Sequence, residues 1–386
     1  MKAIVVGGGI GGLAAAAALS RVGVEPVVLE KTPELREVGA GVALWANATK
    51  VLRRLNVYER IREAGAEIGG EARSRRGRKL FSFSAAELRH RFGESNLAVH
   101  RADLHSALLA ALPEGAVRLG SELVGFRQNG GYVEAKVSDG REVTGDFLVG
   151  ADGLHSVVRA GVLGDGMPRY AGFMAWRGVM EDAAGIVPGG IGLNVWGRGA
   201  EFGLTSLGWG RVYWYLTRNA PEGETEKPVG RRTEALETLE EQELTWDPAP
   251  SVVAATEQKD ILRTDIYDRP PARRWGAGRV TLLGDAAHPM TPNLGQGACQ
   301  AIEDAAVLAD AVRDAGREKS SVAGALRLYE QRRIGRTAVV VRQSRRMGRI
   351  MQSENPVVCS LRDVGAAAVP AGVRLRALEP VVGYKA

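Results

Sequence analysis

The tightest constraint in the chain lies in residues 2–31, "KAIVVGGGIGGLAAAAALSRVGVEPVVLEK". Lys2–Val6 is rich in β-branched residues and predicts a short strand. Gly7-x-Gly9-x-x-Gly12 follows, then Leu13–Arg21, mostly alanine, predicts a helix that Gly23 ends. Val27–Leu29 makes a second strand, closed by Glu30. Strand, glycine turn, helix and strand in this order fold as a βαβ unit. The first glycine permits a tight turn, the second lets a pyrophosphate approach the backbone, and the third lets helix and strand pack closely. Phosphates then sit at the helix N-terminus, where free N–H groups and the helix dipole favour anions. Glu30, eighteen residues past Gly12, is placed to accept hydrogen bonds from ribose hydroxyls. The segment predicts a dinucleotide site without separating FAD from NAD(P). One lysine before an apolar run also resembles a secretory signal, but the glycine pattern fits strand–turn–helix, so no export signal is expected.

The 386 residues suffice for two domains, or for one domain interrupted by another. With 45% hydrophobic and 25% charged residues, the composition is that of an ordinary soluble globular protein. No stretch approaches the ~20 apolar residues that span a bilayer, so no integral membrane association is expected. The two cysteines, Cys299 and Cys359, lack metal-ligand spacing. They are expected to be buried or inert thiols in a reducing, cytoplasmic setting, and no metal site is expected. The net charge of +6 admits nucleic acid in principle. Aromatic residues are not interleaved with the basic clusters, however, and attraction to anionic cofactors explains the balance equally well. No nucleic-acid partner is expected.

Further along, Gly39-Ala40-Gly41 is suited to carrying backbone close to a ligand, and Asn47–Leu55 reads as helix. "EARSRRGRKLFSF" predicts a hairpin with Gly77 in its turn and a solvated basic face. "VHRADLHSALLAAL" predicts a helix capped by Asp103, with Leu104, Leu108, Ala111 and Leu112 as its buried stripe and Arg101 just before the cap. Strands are expected over Val133–Val137 and Asp146–Val149. "FLVGADGLHSVVR" then repeats strand, glycine turn and helix. Between Tyr170 and Leu216, short aromatic-rich runs separated by turns predict an antiparallel sheet. An acidic helical stretch is expected within Glu222–Trp246 and a strand over Arg279–Leu283. The C-terminal part reads as helix, with Arg342, Arg345, Arg346 and Arg349 on one solvated or salt-bridged face.

Three motifs stand in order: "GGGIGGL", "GADGLHSVVR" and "LLGDAAHPMTPNLGQGACQAIEDA". Together they resemble the FAD-dependent aromatic hydroxylases of the para-hydroxybenzoate hydroxylase type, which are single-component flavoprotein monooxygenases. Salicylate, 3-hydroxybenzoate and urate hydroxylases and zeaxanthin-epoxidase-like proteins are the nearest look-alikes. The resemblance covers roughly residues 1 to 335. It implies an α/β fold: a Rossmann-like FAD-binding domain interrupted by an antiparallel-sheet substrate domain, with a C-terminal helical segment. The expected boundaries are 1–70, 101–165 and 276–335 for the FAD-binding parts, 71–100 for a hairpin insertion, 166–275 for the substrate domain and 336–386 for the helical segment.

The resemblance also implies roles. Gly9, Gly11 and Glu30 belong to the AMP half of FAD, Arg101 to the pyrophosphate region, and Gly12, Lys31 and Ala43 to the same cofactor site. Asp152 lies in the Asp-Gly motif, which in the family contacts FAD and is linked to NAD(P)H use. Asp285 would accept hydrogen bonds from ribityl hydroxyls. The bend at Pro292, Asn293, Leu294 and Gly295 would set backbone N–H groups against the flavin's pyrimidine edge. The helix after Gly297 would point its positive end at N1 and O2, where negative charge accumulates on reduction. His288 is expected to be structural or a neighbour of the flavin loop, since no G-x-S-x-G elbow is present for hydrolysis.

The chemistry implied is that NADH or NADPH reduces FAD, O2 adds at C4a, and the resulting hydroperoxide passes hydroxyl to an electron-rich carbon. No second GxGxxG is present for the nicotinamide cofactor, in keeping with the family. No side chain need act as a covalent catalyst, so no catalytic residue is assigned. Tyr213 and Tyr215 share one strand face by period two, while Trp214 takes the other. With Arg177, suited to a carboxylate or phenolate, they form the expected substrate wall; the plain alternative is an exposed arginine and sheet-packing tyrosines. Glu201 stands about where urate hydroxylases carry a second arginine, which turns the expectation from urate toward a phenol or a planar polyketide, quinolone or indole-like aromatic. Alkene epoxidation, or an FAD protein that sequesters a product, is the alternative. A monomer or homodimer is expected.

Overall fold

The computed structural model describes residues 1–35, 40–181, 183, 186, 189–318 and 321–384. Gly39 lies outside them, so its expected approach to a ligand is not addressed. The first strand, Lys2–Val6, pairs in parallel with Glu25–Leu29 on one side and Phe147–Gly150 on the other. Val117–Arg118 and Val280–Leu282 complete a five-stranded parallel sheet at its two edges. Ile4, Val5, Leu148, Val149 and Leu282 are fully buried, as a parallel sheet covered on both faces requires.

The alanine-rich helix Ile10–Arg21 packs against the long helix Gly297–Glu318. Small residues set how closely these parts approach. A Cβ on Gly11 would lie 3.0 Å from Leu283 and 3.2 Å from Ala301, and one on Gly12 would lie 1.9 Å from the Gly7 carbonyl oxygen. Only glycine satisfies the second distance.

A seven-stranded sheet runs in the order Leu262–Asp268, Arg169–Met180, Val212–Asn219, Ala200–Ser206, Ile191–Trp196, Gly69–Ser74, Lys79–Phe83. The expected hairpin is present, with Gly77 at φ +77° in its turn. Because this hairpin is an earlier piece of chain docked on the sheet edge, its joint with Ile191–Trp196 is parallel, and every other pairing is antiparallel. Trp176, Phe202, Trp214 and Leu216 fill the back of the sheet against the helices Arg231–Glu241 and Ala249–Ala255. The acidic stretch is therefore helical only over Arg231–Glu241.

One capping expectation is overturned. The helix runs from Arg101 to Leu109, and its cap is His100, whose ring nitrogen accepts from the Ala102 amide at 3.2 Å. Asp103 sits inside the first turn, where Arg211, in the turn leading into the strand Val212–Asn219, draws its carboxylate into an ion pair at 2.5 Å. Leu104 and Leu108 are buried as expected, but Ala111 lies past the helix end and is exposed.

The C-terminal helix Val322–Met351 is tied to the large sheet by Arg345, 2.7 Å from the buried Asp268, which also accepts from Arg169 at 2.9 Å. Arg342, Arg346 and Arg349 are exposed, so this face is partly salt-bridged and otherwise solvated. Two shorter helices, Pro356–Ala368 and Ala371–Val382, follow. Among the described residues no single helix is long and apolar enough to cross a membrane, and no group of three side chains is suited to hold a metal ion.

Candidate flavin and substrate site

The edge strand Val280–Leu282 leads into a short turn, Gly284–Ala286, that presents Asp285. Water reaches this carboxylate, yet protein atoms crowd it on most sides, the situation of a side chain deep in a cleft. Crowding raises its pKa above the ordinary value, and the nearby His288 and Arg101 oppose the rise. Arg101 opens its helix with its amide donating to the Ala40 carbonyl at 2.8 Å. Asp285 Oδ1 is 4.0 Å from where a Cβ would sit on Gly297, the first residue of the long helix. The amides of that first turn have no partner further back in the helix.

Between Asp285 and the helix, Pro292–Leu294 forms a tight turn closed by Gly295 at φ +59°. Three buried polar atoms around this turn lack partners: Asn293 Oδ1, Gln296 Nε2 and Trp45 Nε1. Each costs about 1–3 kcal/mol if left unsatisfied. Trp45 Nε1, 3.2 Å from where a Cβ would sit on Gly295, can donate to a polar ring edge at the turn, whereas Asn293 Oδ1 faces Gly348 of the helix Val322–Met351. At the other end, a Cβ on Gly9 would meet nothing within 4 Å, so the glycine turn opens onto free space. Glu30 closes its strand with Oε2 accepting from the Gly8 amide at 2.6 Å and Oε1 from Thr32 at 2.9 Å, beside exposed Lys31. A carboxylate oxygen retains further lone pairs for ribose hydroxyls. A long cleft with an acid, a glycine turn and a helix N-terminus at each end fits FAD.

Arg159 and His105, which shape this cleft, had no assigned role in the sequence reading, whereas Asp152 was expected at the cofactor. Arg159, fully buried, donates to the carbonyls of Ala286 (2.9 Å) and Ala287 (2.8 Å) and pairs with Asp165, fixing the turn that carries Asp285. Asp152 lies upstream, with one oxygen accepting from Ser156 Oγ at 2.5 Å and the other from the Val158 amide at 3.1 Å. Its carboxylate thus braces the turn leading to Arg159. His105 supports the glycine loop from below, its Nε2 2.7 Å from the Gly8 carbonyl.

Beneath the Pro292–Leu294 turn lies a buried polar network. His288 Nε2 is 2.6 Å from Asp304 Oδ2, and Arg333 Nε is 2.6 Å from Asp304 Oδ1. Arg333 also pairs with Glu303, which accepts from Asn47 at 2.6 Å. Burial would raise the Asp304 pKa, but His288 and Arg333 hold it below its ordinary value. His288 is therefore structural. The adjacent acids in "AIEDA" were the available signal for this network, but their partners lie some thirty residues away.

The strand Gly41–Leu44 joins the cofactor cleft to the large sheet. The Ala43 carbonyl lies 3.5 Å from Cys299 Sγ, in the first turn of the long helix. A Cβ on Gly41 would come within 2.5 Å of the Tyr213 ring, so glycine lets this strand lie against the sheet. Burial pushes the Cys299 thiol up to about 12, which makes it packing rather than a nucleophile.

On the sheet face toward this strand, Arg177 stands opposite Tyr215 in register, and Tyr213 opposite Val179. The tyrosine rings are 6.2 Å apart, while Trp214 is buried on the other face. Arg177 Nη1 is 3.3 Å from Thr264 Oγ1, and its charge is felt at the Tyr213 phenol. The Tyr215 ring lies over Gly203, where a Cβ would come within 1.9 Å of it. Its hydroxyl reaches Asn194 Oδ1 (2.8 Å) and Glu201 Oε1 (2.9 Å). Glu201 is almost completely enclosed, and burial pushes its pKa up to about 7 against the Tyr215 hydrogen bond and Arg362.

With cleft and sheet face described, the comparisons identify the class. A family model described as an FAD binding domain matches residues 1–344. The chain belongs to this family of FAD-dependent aromatic hydroxylases and is an FAD-dependent monooxygenase. It is 39% identical over 365 residues to the aurachin C monooxygenase/isomerase of Stigmatella aurantiaca, covering 94% of this chain and 93% of that protein. It is 35% identical over 350 residues to the FAD-dependent urate hydroxylase of Klebsiella oxytoca, covering 90% and 89%. The structure of Klebsiella pneumoniae HpxO complexed with FAD and uric acid superimposes with a TM-score of 0.90 at 31% identity, covering 98% of this chain and 95% of that one.

Proposed function

We propose that this monooxygenase uses NADH or NADPH and O2 to hydroxylate a planar aromatic small molecule lying against the Arg177–Tyr213–Tyr215 face. The observation that carries the reading is the contact of Gly41–Leu44 with both Tyr213 and the first turn of the long helix. It sets the sheet face beside the proposed cofactor cleft, as a shared space for flavin and substrate requires. Bound FAD would supply the oxygen chemistry, with a nicotinamide cofactor as its reductant.

The chain's own residues position and enclose. Asp285, Arg101, Glu30 and the glycine turn would hold the cofactor's sugars and phosphates, and Pro292, Leu294 and Gly295 its ring edge. Arg177 supplies a cation for a carboxylate or phenolate. Val179, Leu207, Ile68 and Ala98 cluster with Tyr213 and exclude water on that side. Glu201 on the same face, its pKa pushed up to about 7 by burial, supplies no second cation for a urate anion. A phenol, an indole or a quinolone, which needs at most the one cation of Arg177, suits this face better.

Anaerobic reduction of the bound flavin by NADH and by NADPH, with and without a panel of such aromatics, tests this. Acceleration by one compound, followed by a product heavier by one oxygen, supports hydroxylation. Failure of both nicotinamides with every compound, while flavin stays bound, would remove the self-sufficient hydroxylase reading.

A further inference from the structure

Two surface features outside the flavin and substrate sites adjoin one another. The first is a cleft of about 460 Å³ between the Gly69–Phe83 hairpin and the helix Pro356–Ala368. Five arginines line it, Arg75, Arg76, Arg78, Arg198 and Arg362, against one acid, Asp363. Arg75 pairs with Glu243 and Arg362 with Asp363. Arg76, Arg78 and Arg198 are exposed and form no ion pair among the described residues.

The second feature is the outer side of that helix. Cys359 is buried and Arg362 half-buried on its inner side. On the opposite side Val357, Leu361 and Val364 recur at spacings of four and three, 64%, 68% and 55% exposed. Aliphatic side chains in a row facing water mark a surface that something covers. Val364 also lines the cleft, so the stripe and the arginines share an edge. The next helix, Ala371–Val382, turns away by 102° and adds Val373, 45% exposed.

The combination selects among occupants. A second copy packed stripe on stripe about a two-fold axis would bring two arginine clefts toward each other, and like charges oppose that. An anionic bilayer satisfies both features at once, with acyl chains for the aliphatic stripe and phosphates for the arginines.

We propose that the face formed by the Pro356–Ala368 helix and the arginine cleft docks reversibly on a membrane surface containing anionic lipid. The stripe enters the headgroup–acyl boundary, and Arg76, Arg78 and Arg198 meet headgroup phosphates. The docking is peripheral, since no single helix among the described residues is long and apolar enough to cross. Trp196, which lines the cleft, pairs in register with Glu201, so the docked surface borders the far end of the substrate sheet.

Co-sedimentation of the full-length, FAD-loaded protein with vesicles tests this. One set is phosphatidylcholine alone; the other contains phosphatidylcholine with one third phosphatidylglycerol. Partition onto the anionic vesicles is expected to be at least about tenfold stronger and to fall steeply in high salt, each arginine contributing roughly a fivefold factor. Leu361→Glu is expected to weaken binding by about tenfold or more, and Arg76→Glu with Arg78→Glu to remove the preference for anionic lipid. An unchanged flavin spectrum and melting temperature show that these surface variants fold. Equal partition onto both vesicle types, or wild-type binding by Leu361→Glu, overturns the proposal. So does light scattering in which Leu361→Glu converts a dimer to a monomer while neither form binds vesicles.

Discussion

The Tyr215 phenol has one proton and faces two oxygens, Asn194 Oδ1 and Glu201 Oε1. A second donor must come from a rotated Asn194 amide or from a proton on Glu201, and burial favours the proton. Folded Glu201 holds its proton to about pH 7, whereas its ordinary value is 4.5. Between those limits the folded chain binds a proton that the unfolded chain has released. Stability from this group is therefore complete below pH 4.5 and lost as pH rises through about 7. The difference amounts to about 3 kcal/mol. Glu201→Gln should remove this dependence, so wild type loses melting temperature relative to the variant between pH 5 and 8. Parallel curves would count against a protonated Glu201. Arg177 makes a separate prediction. Arg177→Ala should leave FAD binding intact and reduce aromatic-stimulated NAD(P)H oxidation by about tenfold or more, the loss of one charge-assisted contact. Unaltered stimulation would take Arg177 out of the substrate wall.

Elements that depend on neighbours in sequence were legible, and those that depend on distant partners were not. The βαβ unit, the Gly77 hairpin and the alternation of Tyr213, Trp214 and Tyr215 follow from local pattern, while Asp285 was reached through the resemblance. The cap of the Arg101–Leu109 helix did not. Asp103 has the right chemistry for a cap, but Arg211, 108 residues later, claims its carboxylate, leaving His100 to fill the position. Arg159 was hidden for the same reason, since its acceptors are carbonyls 127 and 128 residues away. Sequence shows no signal for a carbonyl that needs a donor. Arg159→Met should leave both carbonyls buried without that donor and let the Asp285 turn move. The expected result is an FAD dissociation constant raised by about tenfold or more, measured by flavin fluorescence titration of the apoprotein. An unchanged constant would show that the turn holds itself.

Across the whole molecule, the buried network joins three parts of the chain: Asn47 near the first sheet, Glu303 and Asp304 on the long helix, and Arg333 on the next. Arg333→Met strands two carboxylates in an enclosed space and should destabilise the fold by about 3–5 kcal/mol, read from denaturation midpoints. Restoring neutrality with Asp304→Asn in the same chain should recover part of the loss. If the single variant is as stable as wild type, Arg336, 2.6 Å from Glu303, carries the charge balance alone.

The parallel sheet has one more consequence. Lys2–Val6 lies at its centre, yet its neighbour Phe147–Gly150 and the outer strand Val280–Leu282 come far later in the chain. At roughly 5–20 residues per second on the ribosome, the first strand and its alanine helix wait on the order of a quarter of a minute to a minute for the last strand to appear. During that interval a flat apolar edge is bare at the front of the nascent chain. Synthesis speed and chaperone supply should therefore bear on how much soluble yellow protein a cell recovers, alongside final stability.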